Sequence, residues 1–378
     1  MKAKAQNMGL LASAFLAAVI GPFAMAGAAG AELKDYRFDI SEKTVNYSEK
    51  TVTALSVGGT IPGPVIEATV GDTLRTTFCN KMDVESSIHW HGVLLPNDQD
   101  GVSYLNTKPI AAHKCHTFEF PVKHHGTYWY HSHTDLQEQR GVYGTIIFHP
   151  KDFEREYADH DRTLMLSDWT DEKPMDVMRN IKRDGDFYAL KKNTVQSWDT
   201  VIAAGWPAIK NRLKNSWNRM EPMDISDVGY DAFLANGQKS TRLSDIGHGD
   251  KVRLRVVNGA ASTYFSLQFA GGPMTIVAVD GNDVEPVQVD TQRIGMAETY
   301  DIIVSMPHDG RAYEFRATSM DGTGYSSTIL GDGKNIVMAP DMPKPNLLLR
   351  DHTAHGAHNH NAAATPDDRK NHSMHDMG

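Results

Sequence analysis

The chain has 378 residues, of which 40% are hydrophobic and 22% are charged, so it can bury sizeable cores and is not a disordered chain overall. Its net charge of −9 argues against nucleic acid as a partner, because phosphate binding needs a basic surface. Two cysteines exclude both a disulfide-dense scaffold and a four-cysteine metal site.

Residues 1–31 are predicted to form a secretory signal peptide. Lys2 and Lys4 precede an apolar run at 9–26, and small residues that suit cleavage continue to Ala31. No later stretch of the sequence is long and apolar enough to span a bilayer. We therefore expect a periplasmic protein without a membrane span.

A sequence repeat organises the rest of the chain. The pattern Gly-Asp-x-Leu/Val-Arg, followed by Asn, occurs at 71–80 and again at 249–258. Each copy contains a turn and then a β-rich run, and such a recurrence indicates two similar β domains. We expect an all-β fold with one domain at about 32–150 and a second at about 160–345.

The second domain is predicted to carry a helical insertion at about 170–227. Apolar side chains recur there at helical spacing, namely Trp206, Ile209, Leu213, Trp217 and Met220. This stripe predicts a helix that packs its apolar face on the sheet. Two methionine pairs of the insertion either fill gaps in the core or bind Cu(I); they are Met175 with Met178 and Met220 with Met223.

Two His-x-His pairs carry the chemistry of the first domain. The first pair is His89 and His91, and the second is His131 and His133. On a β-strand residues i and i+2 point to the same face, so each pair directs two imidazoles together. Neutral imidazole is a ligand for copper and zinc. We predict a metal site formed by all four histidines, with an affinity that falls as the pH drops through the ordinary histidine pKa.

The motifs around these pairs resemble those of the multicopper oxidase family. The matching segments of its first domain are His-Trp-His-Gly at 89–92, Asp-Gly-Val at 100–102 and Gly-Thr-Tyr-Trp-Tyr-His-Ser-His at 126–133. Segments 136–139, 141–144, 166–172 and 320–325 resemble the bacterial copper-resistance branch of the family, the CopA/PcoA type. The resemblance covers the predicted mature chain up to about Pro345.

The resemblance implies tandem cupredoxin domains, each a Greek-key β-sandwich or barrel, and copper as the cofactor. In the family a type 1 copper accepts electrons from a reductant, and a three-copper cluster passes them to O2. By motif, His89 corresponds to a ligand of the type 2 copper, and His91, His131 and His133 correspond to type 3 ligands. Asp100 corresponds to an acid that relays protons near the cluster, or is only a turn residue.

Other ligands of the family are not found in this sequence. The family's last domain carries His-x-His, His-Cys-His and a further histidine, and this set with its His-Cys-His motif is not found here. Counting along the repeat places Leu267 where the first domain has His89, and Arg316 where it has His131. We therefore expect a ligand-free second domain. We also expect no oxidase turnover by these residues alone, unless a missing third domain or a partner copper protein supplies the type 1 site.

Residues 346–378 are predicted to be a disordered His- and Met-rich tail. Its candidate copper ligands are His352, His355, His358, His360, His372, Met374, His375 and Met377. The residues between them are too polar and too small to bury a core. Imidazole and thioether ligands together suit Cu(II) and Cu(I). The tail is either an accessory copper site or a solvated segment with incidental histidines.

The two cysteines, Cys79 and Cys115, lie at the end of one predicted strand and the start of another. In the cupredoxin topology that the resemblance implies, these strands are antiparallel neighbours, and the expected compartment is oxidising. A disulfide is therefore one prediction. Two free thiols, or a metal site of Cys115 with His113 and His116, are the alternatives.

Two functions remain open at this point. One is a periplasmic copper-resistance multicopper oxidase, of which these residues are the first two domains, acting with O2 on Cu(I) or a small phenol-like reductant. The other is a non-enzymatic periplasmic protein that sequesters copper or hands it to a partner.

Overall fold

Strands and tight turns make up most of the structure. The computed structural model describes residues 31–152, 157–183, 186–218 and 224–349. The predicted signal peptide lies outside these residues except for Ala31, and the predicted tail lies outside them beyond residue 349.

Residues 33–149 form a first β-sandwich of two sheets. Its strands are β1 (Leu33–Val45), β2 (Val52–Val57), β3 (Gly63–Thr69), β4 (Thr73–Asn80), β5 (His89–His91), β6 (Cys115–Pro121), β7 (Gly126–His131) and β8 (Tyr143–His149). One sheet has the order β2-β1-β4-β6 and the other has the order β3-β8-β7-β5. Apolar side chains of both sheets meet between them, including Phe78 of β4 and Trp90 of β5, which are fully buried.

Residues 160–337 form a second β-sandwich that repeats this arrangement. Its strands are β9 (His160–Trp169), β10 (Ala232–Ala235), β11 (Ser240–Leu243), β12 (Lys251–Asn258), β13 (Phe265–Phe269), β14 (Met274–Val279), β15 (Asn282–Val289), β16 (Thr291–Ile294), β17 (Thr299–Ser305), β18 (Ala312–Ser319), β19 (Tyr325–Leu330) and β20 (Ile336–Val337). The sheet orders are β10-β9-β12-β17-β14-β15 and β11-β19-β18-β13-β16, with β20 beside β18. Without β14–β16 and β20, these are the strand orders of the first sandwich.

The asparagine that ends each copy of the sequence repeat has the same structural role in both domains. Asn80 and Asn258 end the equivalent strands β4 and β12. The Oδ1 atom of Asn80 accepts a hydrogen bond from the backbone N–H of Met82 at 2.9 Å, and Asn258 does the same for Ala260 at 3.1 Å. The Nδ2 atom of each donates to backbone carbonyls of nearby loops. Each amide therefore satisfies buried backbone groups where the chain leaves the sheet.

Helices occur as an insertion between β9 and β10, so the predicted all-β fold with a helical insertion is confirmed. They are α1 (Pro174–Arg183), α2 (Ala189–Lys192), α3 (Trp198–Ala203) and α4 (Trp206–Trp217). Two one-turn 3₁₀ helices lie at Asn97–Gln99 and Leu347–Leu349. No helix in the described part of the chain is both long and apolar enough to cross a bilayer.

The predicted packing of the apolar stripe of α4 is wrong. Trp206, Leu213 and Trp217 are 69%, 52% and 88% exposed, whereas Ala208 and Asn215 are buried. Helical periodicity located the helix but did not determine which of its faces meets the rest of the insertion. Met220 and Met223 lie outside the described residues.

The two sandwiches share a buried junction. Trp129 and Tyr143 of the first pack with Met165 and Trp169 of the second. At its centre the hydroxyl of Thr127, on β7, donates a hydrogen bond of 2.6 Å to a carboxylate oxygen of Asp301, on β17. β7 is covered on one face by the core of its own sandwich and on the other by the second sandwich, so all its residues are buried. Its last residue, His131, is therefore held in a fixed position.

Candidate metal centre

The four histidines of the predicted site are brought together by the pairing of β5 with β7. These strands are antiparallel, and His89 lies directly opposite His131. Trp90 and Tyr130, the next opposed pair, turn into the core and are not exposed. Because side chains alternate along a strand, the imidazoles then point to the opposite face. The buried aromatic pair thus determines which way the histidines face.

Three of the imidazoles form a compact group. The ligand nitrogens of His89, His91 and His131 all lie within 4.8 Å of one another. Nδ1 of His91 is 3.2 Å from Nε2 of His131. No other such group of three metal-ligating side chains is found among the residues that the structure describes.

His133 lies at the exposed edge of this group. Its ring centroid is 5.6 Å from that of His89 and 5.7 Å from that of His131. It follows the last residue of β7 by two positions, and its backbone N–H donates to the hydroxyl of Ser87 at 2.8 Å. The structure therefore places it beside the other three histidines, with its side chain open to solvent.

Two of the imidazoles have their Nδ1 atoms occupied by partners outside the cluster. Nδ1 of His89 lies 2.8 Å from the backbone carbonyl oxygen of Asp100. Nδ1 of His131 lies 2.7 Å from a carboxylate oxygen of Glu138 and 3.1 Å from the carbonyl oxygen of Ser132. Since a carbonyl or carboxylate can only accept, these rings carry the proton on Nδ1 and leave Nε2 unprotonated, and in His131 that Nε2 faces Nδ1 of His91.

The side chain of Gln137 links the two histidine segments. Its Oε1 accepts hydrogen bonds from the hydroxyl of Ser86 at 2.7 Å and of Ser132 at 3.0 Å. Its Nε2 donates to the carbonyl of Glu85 at 2.8 Å. Sequence analysis missed both Gln137 and Glu138 as supporting residues. Segment 136–139 matches a motif of the family, but nothing local in the sequence shows which histidine it faces.

The loop that carries Asp100 passes very close to β5. At Gly101, where φ is +88°, a Cβ atom would lie 1.7 Å from the carbonyl oxygen of Ile88, so only glycine fits there. This approach brings the Asp100 carbonyl to His89. A carboxylate oxygen of Asp100 is 3.5 Å from His89 Nδ1, and the other accepts from the Asn106 amide at 2.7 Å.

The cluster favours neutral imidazoles. Burial, reinforced by the charges that neighbouring imidazoles would carry, lowers the pKa of His91 to about 4. Burial also lowers the pKa of His89, although Asp100 opposes this effect. Metals bind the unprotonated ring, so both groups are ready to ligate at neutral pH. A set of neutral imidazoles without an acidic ligand fits a copper ion and also zinc.

Cys79 and Cys115 lie opposite each other on β4 and β6 and are joined in a disulfide, with an S–S distance of 2.10 Å. Neither sulfur is therefore free to bind metal. Of the residues in the alternative metal site, His113 lies 2.9 Å from Asp83, and the ring of His116 packs on that of Phe118.

In the second sandwich, the described strands equivalent to β5 and β7 carry no histidines at the positions of the cluster. The residue matched to His89 by counting along the repeat is, however, wrong by one position. Phe269 pairs with Phe315 as Trp90 pairs with Tyr130. The counterpart of His89 is therefore Gln268 rather than Leu267. Gln268 stands ten positions after Asn258, whereas His89 stands nine positions after Asn80, and this one residue shifted the count.

Arg316 is the counterpart of His131, as counted. Its guanidinium donates to Glu314 at 2.9 Å and to Asp341 at 2.7 Å. This part of the second sandwich thus holds ion pairs in place of a group of imidazoles. The tail histidines from His352 to His375, with Met374 and Met377, lie outside the described residues.

Comparison with known proteins identifies the relatives of this chain. Sequence models of the multicopper oxidase family match residues 39–152 and 160–335. Copper resistance protein A of Escherichia coli is 41% identical over 331 residues, which cover 85% of this chain and 54% of that protein. Copper resistance protein A of Pseudomonas syringae pv. tomato is 38% identical over 84% of this chain and 53% of its own length. The chain thus spans about half the length of these relatives.

Solved structures show the same fold. The laccase from Botrytis aclada matches with a TM-score of 0.63 at 22% identity, over 85% of this chain and 57% of that one. Fet3p, described as a multicopper oxidase that functions in iron import, matches with a TM-score of 0.62 at 20% identity, over 83% and 54%. The predicted tandem cupredoxin-like arrangement is confirmed by these matches.

Proposed function

The chain belongs to the multicopper oxidase family, and from this we propose that its first sandwich holds copper with His89, His91, His131 and His133. The observation that carries the proposal is the convergence of three imidazoles, whose ligand nitrogens lie within 4.8 Å of one another. Copper bound there would supply the one-electron chemistry by which the family connects a reductant to O2.

The residues of this chain orient the ligands. The carbonyl of Asp100 and the carboxylate of Glu138 accept the Nδ1–H groups of His89 and His131, so the Nε2 atoms of these rings are the ones that would bind metal. Burial lowers the pKa of His91 to about 4, so its ring is neutral under physiological conditions. These contacts prepare the site before metal enters.

Within this site we assign His89 to the type 2 copper and the other three histidines to the type 3 pair, following the family motif. The short separation of His91 and His131, 3.2 Å between ring nitrogens, supports placing these two side by side. Nδ1 of His89, in contrast, faces away from these two rings, toward the backbone carbonyl of Asp100.

We also propose that Asp100 relays protons to the cluster. Its carboxylate lies 3.5 Å from Nδ1 of His89, and its side chain is 26% exposed, so it lies between solvent and the site. The amide of Asn106 holds the other carboxylate oxygen. A group in this position can take up a proton from water and hold it beside the histidines.

Oxidase activity, in this proposal, needs a further domain. A type 1 copper site requires a cysteine thiolate with two imidazoles. The 378 residues contain two cysteines, and these are joined in the disulfide described above. The type 1 site would therefore come from a further part of the polypeptide or from a partner copper protein, and the reductant would be Cu(I) or a small phenol-like molecule.

We place the protein in the periplasm. The predicted signal peptide at 1–31 supports export, and the disulfide between Cys79 and Cys115 suits an oxidising compartment. A second candidate function, copper sequestration without turnover, is supported by the histidines and methionines of the tail, which suit either oxidation state of copper.

The copper content of the full chain tests this site directly. The six tail histidines are first replaced by alanine, so that copper bound by the tail does not mask the result. In that background, His91→Ala with His131→Ala should lower the copper bound per chain by at least one equivalent, whereas His149→Ala should have no effect. Equal copper content in all three proteins would contradict the proposal.

Oxygen uptake tests the requirement for a further domain. The copper-loaded chain, free of other polypeptides, is supplied with Cu(I) or a phenolic dye while dissolved oxygen is followed. We expect no sustained uptake. Continuous turnover, accompanied by an intense blue thiolate-to-copper absorption, would show that a type 1 site is present after all.

A further inference from the structure

Glu138 makes a partly buried contact with one of the cluster histidines. Its Oε2 lies 2.7 Å from Nδ1 of His131, whose side chain is only 7% exposed, while that of Glu138 is 28% exposed. A hydrogen bond to a charged acceptor in such a partly desolvated setting is stronger than one between neutral groups. The pair therefore limits rotation of the His131 ring.

The backbone around Glu138 is itself held in place. Its carbonyl oxygen accepts from the N–H of Gly141 at 2.9 Å. The preceding residue, Gln137, is buried and bridges the segments of the two histidine pairs through Ser86 and Ser132. A carboxylate on a segment tied to both histidine pairs keeps a constant position relative to them.

We propose that Glu138 is a positioning residue of the copper site: its carboxylate accepts the Nδ1–H of His131 and thereby presents Nε2 to the metal. This inference rests on the proposed copper function. The same carboxylate makes the imidazole a stronger donor to a metal, an effect that outer-shell groups commonly exert on histidine ligands. Glu138 touches neither metal nor substrate in this role.

The surface pair of Glu67 and His149 offers a matched control. Their side-chain atoms are 3.1 Å apart, but the residues lie at the other end of the sandwich and their side chains are 54% and 37% exposed. Both pairs join a glutamate to a histidine, so removal of either glutamate makes the same chemical change. Only one of them adjoins the cluster.

Affinity for Cu(II), measured by competition with a chelating dye in the background without tail histidines, tests the proposal. Glu138→Ala should weaken binding roughly 10- to 100-fold, the usual effect of removing an outer-shell partner. Glu138→Gln should weaken it less, because the amide oxygen still accepts from Nδ1–H. Glu67→Gln should leave it unchanged. Unchanged affinity in both Glu138 variants would overturn the inference.

Nitrogen-15 NMR of the metal-free protein supplies a second readout that does not depend on copper. The wild type should show His131 protonated at Nδ1, and in Glu138→Ala the Nδ1–H should exchange faster, because only the more distant Ser132 carbonyl, 3.1 Å away, is left to accept it. A wild-type ring protonated at Nε2 would also overturn the inference. His131→Ala distinguishes failure of the copper site from failure of the role of Glu138. If this variant also leaves copper binding unchanged, the proposed copper site itself is wrong.

Discussion

The indole of Trp129 lies flat against the imidazole of His131, with ring centroids 4.1 Å apart and planes inclined by 15°. The same indole is within 5.1 Å of the ring of His91 at an inclination of 28°. Trp129 is 2% exposed and belongs to the apolar junction between the sandwiches. The packing that joins the two sandwiches thus also fixes the ring planes of two proposed copper ligands.

Trp129→Ala should destabilise the protein by about 3–5 kcal/mol, the usual range for removing a buried tryptophan. It should also weaken copper binding, because two imidazoles lose the surface that orients them. Trp129→Phe should retain most of both properties, since a flat ring remains. Urea unfolding and copper competition titrations measure the two effects. A stable Trp129→Ala protein with unchanged copper affinity would contradict this role.

Asp301 should be essential for joining the two sandwiches. Its side chain is 4% exposed and lies 3.1 Å from Arg253, 3.0 Å from Arg255 and 2.6 Å from Thr127. Asp301→Asn should cost about 3–5 kcal/mol, because two buried guanidinium groups lose a charged partner.

Asp161 provides the control for this prediction. It contacts the same Arg255 at 2.7 Å, but its side chain is 41% exposed. Asp161→Asn should therefore cost less than Asp301→Asn, because water screens the exposed carboxylate and Asp301 remains beside the buried Arg255. Equal losses for the two variants in urea unfolding would show that burial does not determine the effect.

The stability of the metal-free protein should depend on His91 in mildly acidic solution. Burial lowers its pKa from 6.5 to about 4 in the folded protein. Between these values the unfolded chain binds a proton that the folded chain does not, so stability falls as the pH drops from about 6.5 toward about 4. His91→Ala should flatten this part of the stability curve, and His149→Ala should not. Identical curves for wild type and His91→Ala would contradict the prediction.

His91 should keep binding copper at a lower pH than its ordinary pKa predicts. Burial keeps this ring neutral until the pH approaches about 4. The contribution of His91 to copper affinity should therefore change little between pH 7.5 and pH 5, so the wild type and His91→Ala should show the same pH dependence in this range. A loss of copper around pH 6.5 that is present in the wild type and absent from His91→Ala would contradict the prediction.

The disulfide should contribute measurably to stability. Its cysteines are 36 residues apart, and in the chain-entropy treatment a loop of this size gives about 4 kcal/mol. Replacing both Cys79 and Cys115 with alanine should lower the free energy of unfolding by about this amount. Alkylation of the wild type, purified without reductant, should label neither cysteine. Two labelled thiols per chain would contradict the bridge.

The fold was largely predictable because the sequence contains a repeat, one copy in each β domain. The same turn and strand ending in Asn80 and Asn258 indicated two similar β domains, and the structure shows that both amides close the same kind of loop. The convergence of the histidines was predictable for a comparable reason. Alternation along β5 and β7 is a local property, and it directs His89 and His131 to the same face.

Features that depend on contacts between distant segments were not predictable. Nothing near His131 in the sequence shows that Glu138, rather than a neighbouring acid, reaches its Nδ1. The apolar stripe of α4 predicted burial of Trp217, yet this residue is 88% exposed, because periodicity does not specify which face is covered. The mistaken match of His89 with Leu267 came from one extra residue between Asn258 and the true counterpart, Gln268, which a count along the sequence cannot detect.

Anomalous X-ray scattering at the copper edge tests the central claim most directly. Crystals of the copper-loaded chain should show an anomalous peak at the cluster, within bonding distance of an imidazole nitrogen of His91 or His131. The peak should disappear in the variant with His91→Ala and His131→Ala. Copper-loaded crystals with no peak at this cluster, or with a peak that survives the double substitution, would contradict the account.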